Sequence, residues 1–241
     1  MALYIFSDAH LGCGTCDQER NKLEKIGELF ELVKADGDRL VILGDLFDFW
    51  FEYRHAIPKL HHRILCMLSA LVERGVKIDY VSGNHDFWMG DFFETQIGIK
   101  LHRDELDLVY EKVRLHMTHG DGLALADRGY RFLKRVLRNP INIWLYRKLP
   151  PDWAIPLARA VSGSSRNYTS SRDHTFAADY EAYAKKKLVE GFDAVVIGHL
   201  HIPVEKQLGK GKYINSGDFI SHFSYVVLAS GELKLKRLST E

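Results

Sequence analysis

Five short clusters of Asp, Asn and His side chains recur along the chain, each with a glycine in or near it and each just after an apolar run. Imidazole nitrogens and carboxylate or amide oxygens, without thiolate, favour manganese, iron or zinc over calcium or copper(I). One divalent ion needs fewer donors than the clusters supply, whereas two ions sharing a bridging carboxylate need about this many. The clusters therefore predict a site for two divalent metal ions, with seven candidate ligands: Asp8, His10, Asp45, Asn84, His119, His199 and His201.

A pair of metal ions at such a site indicates chemistry at phosphorus. Two ions roughly 3.5–4 Å apart support in-line displacement, and hydroxide that they activate is the expected nucleophile. A single Asp-x-His or Gly-His-x-His pair is a weak signal, since such a pair is more often turn chemistry or a buried core histidine. The joint occurrence of five clusters, each at the end of a predicted strand, is a strong signal. It predicts a metal-dependent phosphoesterase.

The elements that must position these residues are short strands alternating with helices. Helical spacing of apolar residues predicts helices over Asn21–Lys34 and Leu60–Glu73. This order indicates a parallel βαβ sheet, and the strand-rich C-terminal third predicts a second, partly antiparallel sheet. In an α/β fold the carboxyl ends of strands gather ligands into one crevice. The strands are predicted from β-rich apolar runs bounded by Gly, Asp or Asn at Leu3–Phe6, Leu40–Leu43, Lys77–Val81, Val113–Thr118, Ala194–Ile197, Tyr213–Asn215, Tyr225–Leu228 and Leu233–Leu238.

Composition limits the class of protein. The chain has 241 residues, 46% of them apolar, which suits one large domain over residues 1–241. A net charge of +1 does not favour a nucleic-acid partner, and three cysteines do not indicate a disulfide framework. The first apolar run, Leu3–Phe6, is too short for a signal peptide, and no apolar stretch is long enough to span a bilayer. We therefore expect a cytoplasmic protein, whose oligomeric state the sequence does not indicate.

One region departs from this pattern. Residues 124–190 show helical spacing, and Arg128–Pro151 contains seven basic side chains and no acidic one, interspersed with aromatic and aliphatic residues. Such a stretch suits an anionic membrane surface or an amphiphilic anionic ligand. The alternative is a helical subdomain whose basic face is merely solvated. We predict a helical lid inserted in the domain, with peripheral association at the inner face of the cytoplasmic membrane.

The order of the clusters resembles that of the calcineurin-like metallophosphoesterase superfamily: Asp-x-His, Gly-Asp-x-x-Asp, Gly-Asn-His-Asp, His-Gly-Asp and Gly-His-x-His. The resemblance spans Asp8 to His201, which is most of the chain. It implies an α/β fold of two packed mixed β-sheets flanked by helices, with a dinuclear centre at the strand ends. It further implies one ion on Asp8, His10, Asp45 and His201, and the other on Asp45, Asn84, His119 and His199.

The same resemblance implies roles beyond ligation. His85 lies where the superfamily stabilises the developing phosphoryl charge or protonates the leaving group, so the implied catalytic residues are His85, Asn84 and Asp45. Asp48 and Asp86 are similar to residues that orient ligands from behind. The implied cofactor is a pair of divalent ions, with Mn²⁺ preferred and Fe²⁺ or Zn²⁺ as alternatives.

Within the superfamily the chain is similar to the UDP-2,3-diacylglucosamine hydrolases of lipid A biosynthesis. The similarity rests on Gly44–Trp50, on Asp127 after the His-Gly-Asp motif, on the position of the insertion and on the polar run Ser164–Arg172. It implies hydrolysis of UDP-2,3-diacylglucosamine, an amphiphilic nucleotide-sugar lipid, to lipid X and UMP. The better-known members carry Arg at the position of His85. The implied substrate contacts are Asn84, His85, Asp127, Ser165, Thr169, Arg172 and His199.

Two other functions stay open at this point. The first is a phosphoesterase of the same fold that acts on another phosphodiester, a nucleotide or a phosphomonoester. The second is a non-catalytic scaffold that keeps the fold and binds a partner. A complete set of seven donors argues against the scaffold, and an acid-free apolar insertion argues against a soluble substrate.

Overall fold

Two mixed β-sheets form the centre of the molecule. The computed structural model describes residues 1–124, 128–158 and 173–239. In spatial order the first sheet contains β11 (Glu232–Arg237), β10 (Ser224–Ala229), β1 (Ala2–Phe6), β2 (Gly37–Leu43), β3 (Lys77–Val81) and β4 (Lys100–His102). The second contains β5 (Glu105–Tyr110), β6 (Val113–Thr118), β7 (Ala194–Ile197), β9 (Gly211–Asn215) and β8 (Val204–Leu208).

Parallel strands lie at the middle of both sheets. Strands β1 to β4 are parallel neighbours, and helices α1 (Cys16–Asp36) and α2 (His62–Glu73) connect β1 to β2 and β2 to β3. In the second sheet β6, β7 and β9 are parallel, with β5 and β8 antiparallel at its edges. The C-terminal third supplies β7, β8 and β9 to this partly antiparallel second sheet, as predicted. Strands β10 and β11 extend the first sheet, because β10 pairs antiparallel with β1.

Side-chain alternation along the strands produces four layers. Leu3 and Ile5 of β1 point between the sheets, whereas Tyr4 and Phe6 pack against α1 and α2. Helix α5 (Asp173–Val189) covers the outer face of the second sheet, where Tyr180 is fully buried. The order helix, sheet, sheet, helix confirms the predicted α/β class with two packed mixed sheets.

Three strands that the sequence analysis did not predict are all sheet edges. Strand β4 has only three residues, and β8 has three exposed residues in a row. Strand β5 carries Leu106 and Leu108 on its inner face but lies at the other edge of the second sheet. An edge strand buries little apolar surface, so its sequence lacks the continuous apolar run that marks a central strand.

The predicted insertion divides into two parts. Helices α3 (Arg128–Leu137) and α4 (Pro140–Tyr146), together with helical residues 151–158, lie beside the loops that carry the candidate ligands. We call these three segments the insertion helices. Helix α5, also within residues 124–190, packs on the second sheet instead and so belongs to the layered domain. None of the helices in the described part of the chain is both long and apolar enough to cross a bilayer.

Candidate metal centre

The candidate ligands follow the carboxyl ends of five central strands. Asp8 lies two residues beyond β1, and His119 comes directly after β6. Because β1, β2 and β3 are parallel neighbours, as are β6 and β7, these ends lie at the same side of the two sheets. The structure brings all seven predicted ligands together there, in two groups joined by one carboxylate.

The first group consists of Asp8, His10 and His201. The Nε2 atoms of His10 and His201 are 3.2 Å apart, and His201 Nε2 is 3.2 Å from Asp8 Oδ1. One ligand atom from each residue falls within 4.8 Å of the others. This spacing suits a single metal ion bound between them.

The second group consists of Asp45, His119 and His199, with Asn84 beside it. His119 Nε2 lies 3.3 Å from Asp45 Oδ2, 3.2 Å from His199 Nδ1 and 3.1 Å from Asn84 Oδ1. The three titratable side chains again offer ligand atoms within 4.8 Å of one another. Asn84 adds an amide oxygen on the same side.

Asp45 faces both groups. Its Oδ2 atom is 3.3 Å from His119 Nε2 and 3.7 Å from His10 Nε2, while its Oδ1 accepts a hydrogen bond of 2.9 Å from the His85 backbone N–H. A carboxylate held in this way can bridge two ions. Asp45 is therefore at the place that the predicted bridging ligand requires.

The backbone at the centre adopts conformations that are costly for side-chain-bearing residues. Positive φ angles outside glycine occur at five candidate ligands, and strain of this kind is characteristic of functional sites. Glycine makes room beside them, since a Cβ at Gly83 would lie 2.1 Å from Asp45 Oδ1. The five are Asp8 (57°), His10 (43°), Asp45 (52°), His199 (70°) and His201 (55°).

Burial and charge set the protonation of the histidines. Burial, reinforced by neighbouring imidazoles, lowers the pKa of His10 to about 3 and that of His199 to about 4, so both are neutral ligands at pH 7. Burial would also lower the pKa of His119, but the Asp45 carboxylate raises it to about 10. The pKa of Asp45 is lowered in turn, despite its burial, by His119 and His85. A positive charge near Asp45 is therefore favourable. A divalent cation can supply it in place of the proton on His119.

The donors fit divalent metal ions. Asp8 Oδ1 and His10 Nδ1 are buried, and neither makes a hydrogen bond within the described residues. Buried polar atoms are nearly always paired, so a buried carboxylate oxygen that makes no hydrogen bond and faces an imidazole nitrogen suits a bound cation. His119 donates Nδ1–H to the Leu43 carbonyl at 2.9 Å, which leaves Nε2 for metal ligation.

The family profile of calcineurin-like phosphoesterases matches residues 1–203. This chain belongs to the calcineurin-like phosphoesterase family. The motif order that the sequence analysis compared with that superfamily is therefore confirmed as a family relationship. The hydrolase class and the two-sheet fold follow from that membership.

Two relatives match this calcineurin-like phosphoesterase along nearly its whole length. The UDP-2,3-diacylglucosamine hydrolase of Porphyromonas gingivalis is 28% identical, covering 98% of this chain and 97% of the relative. The UDP-2,3-diacylglucosamine hydrolase of Aeromonas salmonicida is 30% identical, covering 98% and 93%. Among solved structures, an archaeal phosphodiesterase superposes with a TM-score of 0.50 at 13% identity over 99% of this chain and 100% of its own, which reflects the shared fold.

Three further residues of this calcineurin-like phosphoesterase surround the ligands. His85 donates Nδ1–H to the Asp48 carbonyl at 2.9 Å and turns Nε2 to within 4.0 Å of Asp45 Oδ2. Asp48 Oδ1 is 3.9 Å from His10 Nδ1, behind the first group. Asp86 accepts hydrogen bonds from the Gly83 N–H at 2.7 Å and the Tyr80 hydroxyl at 2.5 Å, and so holds the turn that carries Asn84.

A cavity of about 370 Å³ adjoins the centre. Asp48, Asn84 and His85 are among its lining residues, and side chains of the insertion helices supply most of the others. Those side chains are chiefly apolar: Leu133, Val136, Leu137, Ile143, Tyr146, Leu157 and Ala158. A polar ligand cluster thus opens directly into an apolar space.

Four predicted substrate contacts lie outside the described residues: Asp127, Ser165, Thr169 and Arg172. In the sequence, Asp121 stands out only as the last residue of His-Gly-Asp. In the structure its carboxylate accepts a hydrogen bond from the Tyr130 hydroxyl at 3.1 Å and forms ion pairs with two basic side chains. The basic stretch Arg128–Pro151 was the one feature of the sequence that pointed to Lys134 and Arg138. The spacing of basic residues along one helix face does not predict which carboxylate they will pair with.

Proposed function

We propose that this phosphoesterase hydrolyses the diphosphate of UDP-2,3-diacylglucosamine to 2,3-diacylglucosamine 1-phosphate and UMP. The observation that carries the proposal is the cavity of about 370 Å³ that joins the ligand cluster to an apolar wall. The ligand cluster suits a phosphate group, and burial against the apolar wall would stabilise a bound acyl chain. The similarity to two enzymes of that name along nearly their full length supports the same substrate.

The centre would hold two divalent ions, with Asp8, His10, Asp45 and His201 around one and Asp45, Asn84, His119 and His199 around the other. When bound, such ions supply a nucleophile from water at neutral pH and neutralise phosphoryl charge. We propose manganese as the preferred ion, with iron or zinc as alternatives, because the donor atoms are nitrogen and oxygen and none is a thiolate.

The protein's own side chains would orient the diphosphate. Asn84 and His85 line the cavity, and His85 Nε2 is 4.0 Å from Asp45 Oδ2. His85 Nδ1 donates to the Asp48 carbonyl, which turns Nε2 toward Asp45, where it would donate a hydrogen bond to a phosphoryl oxygen and protonate the departing phosphate. Asp127, Ser165, Thr169 and Arg172 complete the proposed contacts to the head group.

The proposal extends to the membrane that holds this lipid. The insertion helices expose Phe132, Ile141, Trp144 and Trp153, the last with 76% of its surface accessible. Lys148 lies 5.1 Å from the Trp144 ring, so basic and aromatic groups share this surface. Such a face suits the anionic inner leaflet of the cytoplasmic membrane, with the protein associated peripherally from the cytoplasm.

The test is release of UMP from UDP-2,3-diacylglucosamine by the manganese-loaded protein, followed by mass spectrometry, with a chelated sample as control. Metal-dependent UMP is the expected result. Hydrolysis of bis-p-nitrophenyl phosphate without UMP release would keep the phosphoesterase and reject the lipid substrate, and His85 would then be the first residue to exchange for Arg. Absence of both activities in the metal-loaded protein would reject catalysis by this centre.

A further inference from the structure

The loop after β6 carries a carboxylate that the proposed chemistry does not use. Asp121 follows the candidate ligand His119 by two residues, and only 8% of its surface is accessible. The Gly120 carbonyl between them accepts a hydrogen bond of 2.7 Å from the Tyr180 hydroxyl of α5. Asp121 therefore projects from a segment that is fixed both to the candidate metal centre and to the domain core.

Two side chains of α3 and that of Arg138, which directly follows the helix, converge on Asp121. Its Oδ2 atom lies 3.1 Å from the Tyr130 hydroxyl, 2.9 Å from Lys134 Nζ and 3.0 Å from Arg138 Nη2. Lys134 Nζ also donates to the Asp121 carbonyl at 2.8 Å. The three partners are spaced four residues apart, and the Arg138 N–H still donates to the Lys134 carbonyl, so they share the side of α3 that faces Asp121. A single carboxylate thus contacts the helix over two turns.

The same helix is tied to a second loop of the centre. The Arg138 guanidinium lies 3.9 Å from the centroid of the Phe87 ring, and the Trp88 indole N–H donates to the Leu137 carbonyl at 2.9 Å. Phe87 and Trp88 directly follow the Gly-Asn-His-Asp segment. Helix α3 is consequently held by two of the loops that carry the second group of candidate ligands, those with Asn84 and His119.

The position of α3 sets the shape of the cavity. Tyr130 and Leu133 line the same cavity as Asn84 and His85. Lys134 and Arg138 place two positive charges against this buried carboxylate, at 2.9 and 3.0 Å. A buried charge is tolerated only while its partners stay in place, so the anchor favours one position of the helix over alternatives.

We propose that Asp121 is a positioning residue that anchors α3 to the loop bearing His119 and thereby selects substrates with an apolar tail, which fill the cavity that α3 encloses. The selection rests on the proposed function, because it concerns the same centre and its acylated diphosphate. The anchor itself depends only on the contacts of Asp121.

The experiment compares Asp121→Asn with Asp104→Asn in the manganese-loaded protein. Asn keeps the size of the side chain but removes the charge that Lys134 and Arg138 neutralise. Asp104 pairs with the same Arg138 at 2.9 Å, but 73% of its side chain is accessible, so this ion pair is expected to be weak. Asp104→Asn is therefore the matched control, because it removes the same charge from a partner of Arg138 without disturbing a buried contact. Kinetics with UDP-2,3-diacylglucosamine and bound metal, measured by mass spectrometry, are determined for both variants.

For Asp121→Asn we expect KM for the lipid substrate to rise about tenfold or more, the scale of losing a charge-assisted hydrogen bond. We expect kcat to fall by less than about threefold and both metal ions to remain, because the centre itself keeps its ligands. Asp104→Asn should change KM by less than about twofold. Lys134→Met should raise KM in the wild-type background but add little to Asp121→Asn, since the two residues act as one unit.

Loss of bound metal, or an equal loss of kcat with unchanged KM, would overturn the proposal and make Asp121 a support of the His119 loop alone. If the wild-type protein releases no UMP, the proposed function fails and the selection fails with it. The anchor is then tested by trypsin, which cleaves at Arg131, Lys134 and Arg135 of α3. Faster cleavage there in Asp121→Asn than in Asp104→Asn would support the anchor, and equal rates would reject it.

Discussion

Each carboxylate of the centre has one oxygen fixed by the protein and one directed at the ligand cluster. Asp8 Oδ2 accepts hydrogen bonds from the Ser7 hydroxyl and, at 2.9 Å, from the His199 N–H, whereas Oδ1 makes no hydrogen bond to any residue that the structure describes. Asp45 Oδ1 accepts the His85 N–H, and Oδ2 faces His10 and His119. The ligand atoms are therefore oriented before a cation arrives, which lowers the ordering cost of binding it.

This preorganisation stores strain in the backbone, and His10, with φ of 43°, offers a way to measure it. His10→Gly and His10→Ala both remove the imidazole, but only glycine adopts positive φ without penalty. We expect His10→Gly to exceed His10→Ala in free energy of unfolding by about 1 kcal/mol, measured by urea denaturation with chelator present. Asp48 lacks a positive φ, so Asp48→Ala should be more stable than Asp48→Gly. If the alanine variant were the more stable one at His10 as well, backbone strain at His10 would be contradicted.

His85 is the candidate proton donor, and its contacts indicate a role other than that of a metal ligand. Its Nδ1 is engaged with the Asp48 carbonyl, and its Nε2 is 4.0 Å from Asp45 Oδ2. We expect His85→Ala to lower kcat for UMP release by about 100-fold while both metal ions remain bound. Steady-state kinetics and metal analysis of the same preparation measure the two effects. A matching loss of metal would show instead that His85 is a ligand.

At the scale of elements, one buried carboxylate links three neighbouring strands. Asp79 of β3 pairs with Arg39 of β2 at 2.7 Å and with His102 of β4 at 2.8 Å. Burial alone would raise the pKa of Asp79, but the hydrogen bonds from His102 and Arg39 lower it below its ordinary value. A lowered pKa in the folded state adds stability that is complete above the unfolded pKa and is lost as pH falls through the folded value.

We therefore expect Asp79→Asn to reduce the free energy of unfolding at pH 7 by about 1–3 kcal/mol, the range for hydrogen bonds to a charged group. Between about pH 5 and 3, the stability of the wild type should fall more steeply than that of the variant, because only the wild type has this carboxylate to protonate. Urea denaturation across this range measures both slopes. Asp17→Asn, at an exposed pair with Arg20, should leave the slope unchanged; parallel slopes for wild type and Asp79→Asn would contradict the expectation.

The central elements were predictable because burial imposes a pattern on the sequence. Central strands such as Leu40–Leu43 are continuous apolar runs, and the ligand clusters follow them at once. Edge strands such as Val204–Leu208 bear exposed polar residues and lack that pattern. The start of α1 at Cys16, five residues before the predicted start, is set by a capping box between Thr15 and Gln18 rather than by apolar spacing. Contacts between distant segments, such as Asp121 with α3, leave no local signal.

At the scale of the whole molecule, charge and apolar surface are unevenly distributed. The net charge is only +1, yet the segment Arg128–Pro151 holds seven basic side chains and no acidic one, so the remainder is net acidic. The exposed aromatic and aliphatic side chains of the insertion helices, such as Trp144 and Trp153, lie in or next to this basic segment. Attraction to an anionic surface would therefore turn the cavity of the candidate site toward the bilayer that holds a lipid substrate.

This orientation predicts binding to vesicles that depends on both lipid charge and the aromatic face. We expect the protein to cosediment with phosphatidylglycerol vesicles, to bind phosphatidylcholine vesicles at least about tenfold more weakly, and to dissociate as salt screens the basic segment. The double variant Trp144→Ser and Trp153→Ser should weaken binding by about tenfold or more, since it removes the apolar groups that enter the interface. Val189→Ser is the matched control, because Val189 is 89% accessible but lies on α5, away from the insertion helices. Equal loss in both variants, or equal binding to both kinds of vesicle, would show that the insertion helices are not the surface that meets the membrane.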